Sequence, residues 1–424
     1  MIDKKRIEQV LIDQKGELEM RRGEKLCHRR EVEQIDMESP QAQVVIGVRR
    51  SGKSTLCFQA LERAGVKYAY MDFDDERLMG VRAEDLNDVL EVAYKVYGEF
   101  RHLFMDEVQN VDGWHLFVNR LLRSGMRVIL TGSNAKLLGG DLATHLTGRS
   151  KEIALYPFSF GEFCTMKGVD TEGMTTKLKA FRRGAFDEYM RRGGFPEMMA
   201  MSDSRTYVRD LVKNILQRDV QQRFSVTFRA AFEQLASHVM NIAPGVVEVK
   251  EMAEMLKIRS EHTVKNYIDY LKQAYLLIGL QKYSQKSKLR MTQEKEYTVD
   301  VALMDGRENA MAGENLGWRL ETVVCVELMR RCRARGYDVY YLRERQGECD
   351  FVVCRGKEVV EAIQVSYDIS NEKTRRREME GLMLAKKRTG CGNLLLLTDW
   401  VDEDVEWKGE MVRVRPVCEW VLEG

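Results

Sequence analysis

Proline is scarce in this chain, with five among 424 residues. So few helix breakers among many charged stretches at helical spacing exclude disordered linkers and predict a helix-rich protein. Long apolar runs are missing too. The longest, Ala274 to Leu280, falls far short of the ~20 residues that span a bilayer. The opening residues Met1-Ile2-Asp3-Lys4-Lys5-Arg6 lack the apolar core of a secretory signal, so a cytoplasmic protein with no membrane partner is expected. The six histidines show no ligand spacing, which argues against a structural zinc. The nine cysteines form an odd set without C-x-x-C pairs and fit free thiols in a reducing compartment. Net charge is nearly absent, with 67 basic against 66 acidic residues, so no global field draws the chain to nucleic acid. No internal repeat or low-complexity segment occurs.

What is present is concentrated early. Gly47-Val48-Arg49-Arg50-Ser51-Gly52-Lys53-Ser54 has the G-x-x-x-x-G-K-S pattern, between the apolar run Val44-Val45-Ile46 and a helical segment from Thr55 to Arg63. That order suits triphosphate binding. Small residues let backbone N–H groups of the cradle from Gly47 to Thr55 wrap phosphates, and the helix N-terminus adds partial positive charge. Lys53 can reach the outer phosphates, and the Ser54 hydroxyl can ligate magnesium.

A second motif completes the chemistry. The apolar Leu103-Phe104-Met105 ends in Asp106-Glu107, expected on the strand neighbouring the phosphate loop. Asp106 would hold magnesium and Glu107 would polarise the attacking water. A third strand, Arg127 to Thr131, runs into Gly132-Ser133-Asn134. Ser133 or Asn134 can position that water if this strand adjoins the phosphate-loop strand; otherwise Asn134 caps the helix that follows. Arg149 can stabilise transition-state charge in its own subunit or, in a homo-oligomer, the next one; the alternative is a solvated surface arginine.

Length permits two to four domains. Residues 1–40 read as an N-terminal helical arm, with Ile7, Val10, Leu11 and Leu18 at helical spacing. Residues 41–165 alternate strand and helix, which predicts an α/β parallel sheet, closed by Tyr156 to Phe163. Residues 166–230 form a helical linker or lid. In 231–305, two helices and a hairpin with the basic loop Lys282, Lys286, Lys288 and Arg290 have the layout of a winged helix, with Lys265 and Asn266 facing a groove if DNA is the partner. A lid or dimerisation module is the alternative.

Residues 306–424 form a further α/β unit. Glu314 and Glu321 on a helix, Asp350 on one strand and Ile363-Gln364-Val365-Ser366 on the next parallel the acid, acid-x-lysine hairpin of PD-(D/E)XK nucleases. Gln364 stands at the second acid and Ser366 at the lysine. A neutral amide and a hydroxyl supply neither metal ligation nor positive charge, so the unit is expected to be catalytically inactive.

These motifs, with Phe104 to Gln109, Thr131 to Ala135, Leu146 to Arg149, Phe158 to Phe163, Gly193 to Glu197, Lys265 to Leu271 and Cys349 to Val353, resemble prokaryotic AAA+-superfamily ATPases. Members carry a C-terminal domain of unknown function related to restriction-endonuclease-like nucleases. The resemblance implies an ASCE-type sheet, Asn134 in the sensor position and Arg149 as a candidate arginine finger. The expectation is an ATP-binding, Mg2+-dependent ATPase whose nucleotide state controls C-terminal modules that engage DNA or a protein partner. The alternatives are a DNA-binding regulator using ATP as a switch and an ATP-gated DNA nuclease. No guanine-reading N-K-x-D motif occurs, which favours ATP over GTP.

Overall fold

In a computed structural model the chain divides by contacts into two compact units, 1–155 with 273–275, and 156–272 with 276–424. The structure describes residues 3–24, 26–133, 146, 148–201, 203–224, 226–284, 293–305 and 315–423. Among them, no helix is long and apolar enough to cross a membrane.

The first unit is a five-stranded sheet in the order β2-β3-β4-β1-β5, all parallel. Its strands are β1 (Ala42–Ile46), β2 (Tyr68–Asp72), β3 (His102–Asp106), β4 (Arg127–Gly132) and β5 (Ser150–Ala154). Parallel strands need crossovers, and helices α2 (Lys53–Ala64), α3 (Leu86–Tyr97) and α4 (Trp114–Arg123) supply those from β1 to β2, β2 to β3 and β3 to β4. Helix α1 (Lys4–Arg21) precedes β1. Because side chains alternate along a strand, each strand feeds two cores. Val44, Ile46, Leu103, Met105, Val128 and Leu130 pack with α1, α3 and α4. Val45, Phe104, Ile129 and Ile153 pack with Leu56, Cys57, Ala60 and Leu61 of α2. The expected arm is thus part of this unit, with Ile7, Val10 and Leu11 fully buried against it.

The sequence reading placed Asp106 and Glu107 on the strand adjoining the phosphate-loop strand. That is corrected: β4 lies between β3 and β1, because the α4 crossover returns the chain to the slot beside β1. The condition set for the third strand is met, since Val45 pairs with Thr131. Residues 156–165 belong by contacts to the second unit, where Phe160 and Phe163 pack with Phe186 and Tyr189.

The second unit begins with helices Phe160–Lys167, Thr176–Arg192, Ser204–Asn214 and Arg229–Ile242. Helices Val249–Met255 and Glu261–Gln273 precede the antiparallel hairpin of β7 (Leu277–Gln281) and β8 (Glu294–Thr298), with β6 (Gly245–Val246) on the far side of β8. A six-stranded sheet follows in the order β13-β14-β12-β11-β10-β9. Its strands are β9 (Asp338–Glu344), β10 (Gly347–Arg355), β11 (Glu358–Ser366), β12 (Leu394–Thr398), β13 (Glu403–Trp407) and β14 (Glu410–Pro416). Helix Leu316–Arg335 covers the face carrying Phe351, Ile363 and Leu395, and helix Glu372–Thr389 the face carrying Val352, Ala362 and Leu396.

Candidate active site

At the C-terminal end of β1 the backbone turns sharply. Gly47, Arg50 and Gly52 take φ of 152°, 68° and 94°. At Gly47 no side chain fits, since a Cβ would lie 2.0 Å from the Leu155 carbonyl oxygen. Gly52 is the N-cap of α2, so the loop's N–H groups and the helix start with Ser54 and Thr55 face the same concavity. Lys53 is buried, and its Nζ donates to the carbonyls of Gly47 and Val48, each at 3.3 Å. Arg49 pairs with Asp74 at 3.1 Å. Sequence reasoning missed Arg29, a buried arginine whose Nη1 donates to the Ser51 carbonyl at 3.2 Å and props the loop from behind.

The acidic strand end meets the loop through β4. The Thr131 hydroxyl donates to Asp106 Oδ1 and accepts from the Glu107 N–H at 2.9 Å, so one side chain orients both acids. Asp106 also accepts from the Ser54 hydroxyl and, at 3.3 Å, from the Tyr70 hydroxyl. Burial, then the neighbouring Glu107 charge, holds Asp106 above the ordinary carboxylate range. Glu107 takes a left-handed φ of 48°, which turns its carboxylate back to the loop, 3.6 Å from Lys53 Nζ. Burial pushes its pKa up, but Lys53, Arg49 and hydrogen bonds from Gln109 and Ser133 outweigh that and leave it lowered. Ser133 Oγ donates to Glu107 Oε2 at 3.1 Å. Glu107 is therefore an ionised base beside a cation, whereas Asp106 is a crowded acid that gains from an added positive charge.

Asp72 is a third carboxylate that the sequence reading did not single out. It ends β2 in register with Asp106, and its pKa is raised to about 7 by burial and then by the Asp106 charge. The unfolded chain releases this proton near 3.8 and the folded chain near 7, so the folded state holds the extra proton between those values. Stability of this unit therefore falls as pH rises across that window. Asp72→Asn is expected to flatten the fall and to raise the denaturation midpoint above pH 7, as read from guanidinium melts of both proteins at pH 4 to 8. Identical slopes would remove Asp72 as the cause.

The structure does not bring every expected residue here. Arg149 precedes β5 and its carbonyl accepts from the Ala42 N–H at 2.8 Å, at the start of β1 and the opposite sheet end from the phosphate loop. It does not reach that loop within its own subunit. Asn134, Glu314 and, of the basic loop, Lys286, Lys288 and Arg290 lie outside the described residues, whereas Lys282 forms a parallel bridge with Tyr341.

In the second unit Lys265 is exposed in a cleft of about 390 Å³ with five carboxylates, Glu248, Glu261, Asp269, Glu294 and Glu296, against three ammoniums. One of these, Lys272, is bound to Glu294 and, at 2.8 Å, to Glu296. That balance opposes a phosphate backbone. Asp350 and Gln364 do meet: Gln364 Oε1 accepts from the Asp350 N–H at 3.2 Å, and its Nε2 donates to Glu378 at 2.6 Å. The Ser366 hydroxyl donates to the Asp368 carbonyl at 3.3 Å. Among the described residues, no group of three or more His, Cys, Asp or Glu is arranged to hold a metal ion.

The phosphate loop, the strand order and the paired acids are those of a P-loop domain, and residues 39–164 match the AAA domain family. Residues 183–311 match a domain of unknown function, DUF8612. The whole chain is 30% identical to uncharacterized protein MJ1544 of Methanocaldococcus jannaschii and covers 96% of it. An uncharacterized protein of Haemophilus influenzae is 30% identical over 90% of the chain and 94% of its own length. The chain belongs to the family of these proteins. The Thermotoga maritima RuvB Holliday junction branch migration motor aligns over 65% of this chain and 87% of its own, at 16% identity and TM-score 0.28. Cdc6p from Pyrobaculum aerophilum aligns over 65% and 90%, at 15% identity and TM-score 0.26. Structural scores this low say nothing about activity.

Proposed function

We propose that the first unit binds ATP and hydrolyses it with magnesium. One observation carries the reading: Lys53, Asp106 and Glu107, from two distant segments, converge at the phosphate loop with Glu107 ionised and turned inward. The Ser54 hydroxyl and the Asp106 carboxylate are a hard oxygen pair already bonded to each other, which fits magnesium. Ser54 and Asp106 would hold the ion, which when bound neutralises phosphate charge. The loop N–H groups bind the β- and γ-phosphates, and Lys53 exchanges its carbonyl partners for phosphate oxygens. Glu107 accepts a proton from the attacking water while Ser133 and Gln109 fix its carboxylate, and the γ-phosphate–ADP oxygen bond breaks. Asn134 is proposed as a second water-positioning group, and Arg149 as a finger acting on a neighbouring subunit's nucleotide in a homo-oligomer.

The two helices and hairpin within 231–305 support a winged-helix-like module, and the six-stranded sheet between two helices supports a nuclease-like unit at 306–424 without its chemistry. The nucleotide state of the first unit would control these modules and their DNA or protein partner. The acidic cleft around Lys265 favours a protein.

Lys53→Ala is expected to lower nucleotide affinity and to reduce turnover by about 10²-fold or more, since it removes the cation that meets the outer phosphates. Phosphate release by the purified variant tests this. Hydrolysis at the parental rate would overturn the assignment.

A further inference from the structure

The second unit holds a cation that none of its motifs announces. Lys295 lies on β8, and its Nζ sits 2.8 Å from Glu321 Oε1, 2.6 Å from Glu348 Oε1 and 3.5 Å from Asp350 Oδ1. The carboxylates come from helix Leu316–Arg335 and from β10, whereas the lysine comes from a different sheet. Lys295 and Asp350 side chains are 8% and 9% exposed.

The acids are held in place before the lysine is considered. The pairing of β10 with β9 is irregular between Cys349 and Val352, which frees Asp350 to turn inward. The Val365 N–H donates to Asp350 Oδ2 at 2.9 Å and leaves Oδ1 for the ammonium. The Tyr297 hydroxyl, two residues along β8, donates to Glu321 Oε1 at 2.6 Å. Gln364 is committed elsewhere, between the Asp350 N–H and Glu378.

We propose that the Lys295 ammonium is a built-in replacement for a divalent cation, filling the point where Glu321, Glu348 and Asp350 converge and excluding metal from it. An ammonium is a compact charge with three donors, one for each carboxylate present. Two of the three converging carboxylates, Glu321 and Asp350, are 12% and 9% exposed and need a cation, because stranding a buried charge is strongly unfavourable; Arg343 reaches only the more exposed Glu348, at 3.6 Å. Oxygen ligands without Lys295 are the set that hard divalent ions choose. With Lys295 in place, the cluster instead ties the β7–β8 hairpin to the six-stranded sheet, and no metal-bound hydroxide can form there.

The test is Mn2+ binding followed by electron paramagnetic resonance, on the full chain without nucleotide. An Asp106→Asn background silences the first unit's metal position. The Lys295-containing protein is expected to bind no Mn2+ that depends on Asp350. Lys295→Met should gain one site with at least about tenfold tighter affinity, lost again when Asp350→Asn is added. Its melting midpoint should fall and recover with Mn2+ but not with sodium chloride of equal ionic strength. Should Lys295→Met fold only when Mn2+ is supplied, that supports the proposal; failure to fold with Mn2+ overturns it. A folded Lys295→Met with parental Mn2+ binding overturns it too. So does an Asp350-dependent Mn2+ site in the protein that keeps Lys295. These outcomes leave the ATPase reading of the first unit untouched.

Discussion

A Glu107→Gln protein will bind ATP about as well as the parent and hydrolyse it roughly 10²–10⁴-fold more slowly, the range that a positioned general base contributes. The substitution keeps the shape of the side chain. Its amide oxygen can still accept from Ser133, whose Oγ lies 3.1 Å from Glu107 Oε2 in the parent. The left-handed φ of 48° is as open to glutamine as to glutamate, so the backbone turn at the end of β3 survives. Lost are a basic oxygen and the negative charge facing Lys53 at 3.6 Å. Binding should not weaken, because Lys53 then has one fewer anion competing with phosphate. Equilibrium titration with a fluorescent ATP analogue, set beside a phosphate-release assay, separates the two effects. Turnover within a few-fold of the parent would remove Glu107 from its proposed role.

Gly47→Ala is the second large effect, and it acts on structure before chemistry. A Cβ there would lie 2.0 Å from the Leu155 carbonyl oxygen and 3.3 Å from Ser51 Oγ, with φ at 152°. The Leu155 carbonyl cannot retreat cheaply, because the Leu155 N–H is bonded to the Ile46 carbonyl at 2.7 Å. Either the end of β5 separates from β1 or the phosphate loop opens. Each route is expected to destabilise the first unit by about 2–4 kcal/mol and to abolish nucleotide binding. Gly16 in α1 is the matched control, since a Cβ there meets nothing within 4 Å. Gly16→Ala should be neutral or slightly stabilising through helix propensity. Denaturant melts of both variants decide the matter. A Gly47→Ala protein that melts and binds ATP like the parent would mean that the loop does not adopt this conformation in solution.

Much of this site was readable along the chain because its parts are local. A phosphate loop needs a strand, a tight turn and a helix start in immediate succession, and residues 42–64 contain all three in one stretch. The expected helical segment from Thr55 to Arg63 lies within α2, and Val44-Val45-Ile46 lies within β1. Strand order was not readable in this way. Asp106-Glu107 looks like the neighbour of the phosphate-loop strand until β4 is seen between them, because crossover helices do not announce the slot to which they return. Thr131 was read only as the end of a strand, and Arg29 only as part of a charged arm. Their roles depend on hydrogen bonds across separations of 24 and 22 residues, to the Glu107 N–H and the Ser51 carbonyl.

The second unit shows the same division more sharply. Asp350 and Gln364 could be placed on adjacent strands from the two short apolar runs that carry them, and β10 and β11 do pair, with Phe351 opposite Ile363. Lys295 could not be connected to them. It sits 55 positions before Asp350 on another sheet, and nothing in its local pattern separates it from a solvated lysine. By itself, then, the sequence determined the phosphate loop, the acids that follow it and the neutral pair Gln364 and Ser366, since each depends on residue type at short spacing. Tertiary structure alone decided which strands adjoin, which hydroxyl orients the acids and which cation the distant carboxylates face. Those depend on backbone register and burial, which bring together side chains that the chain keeps far apart.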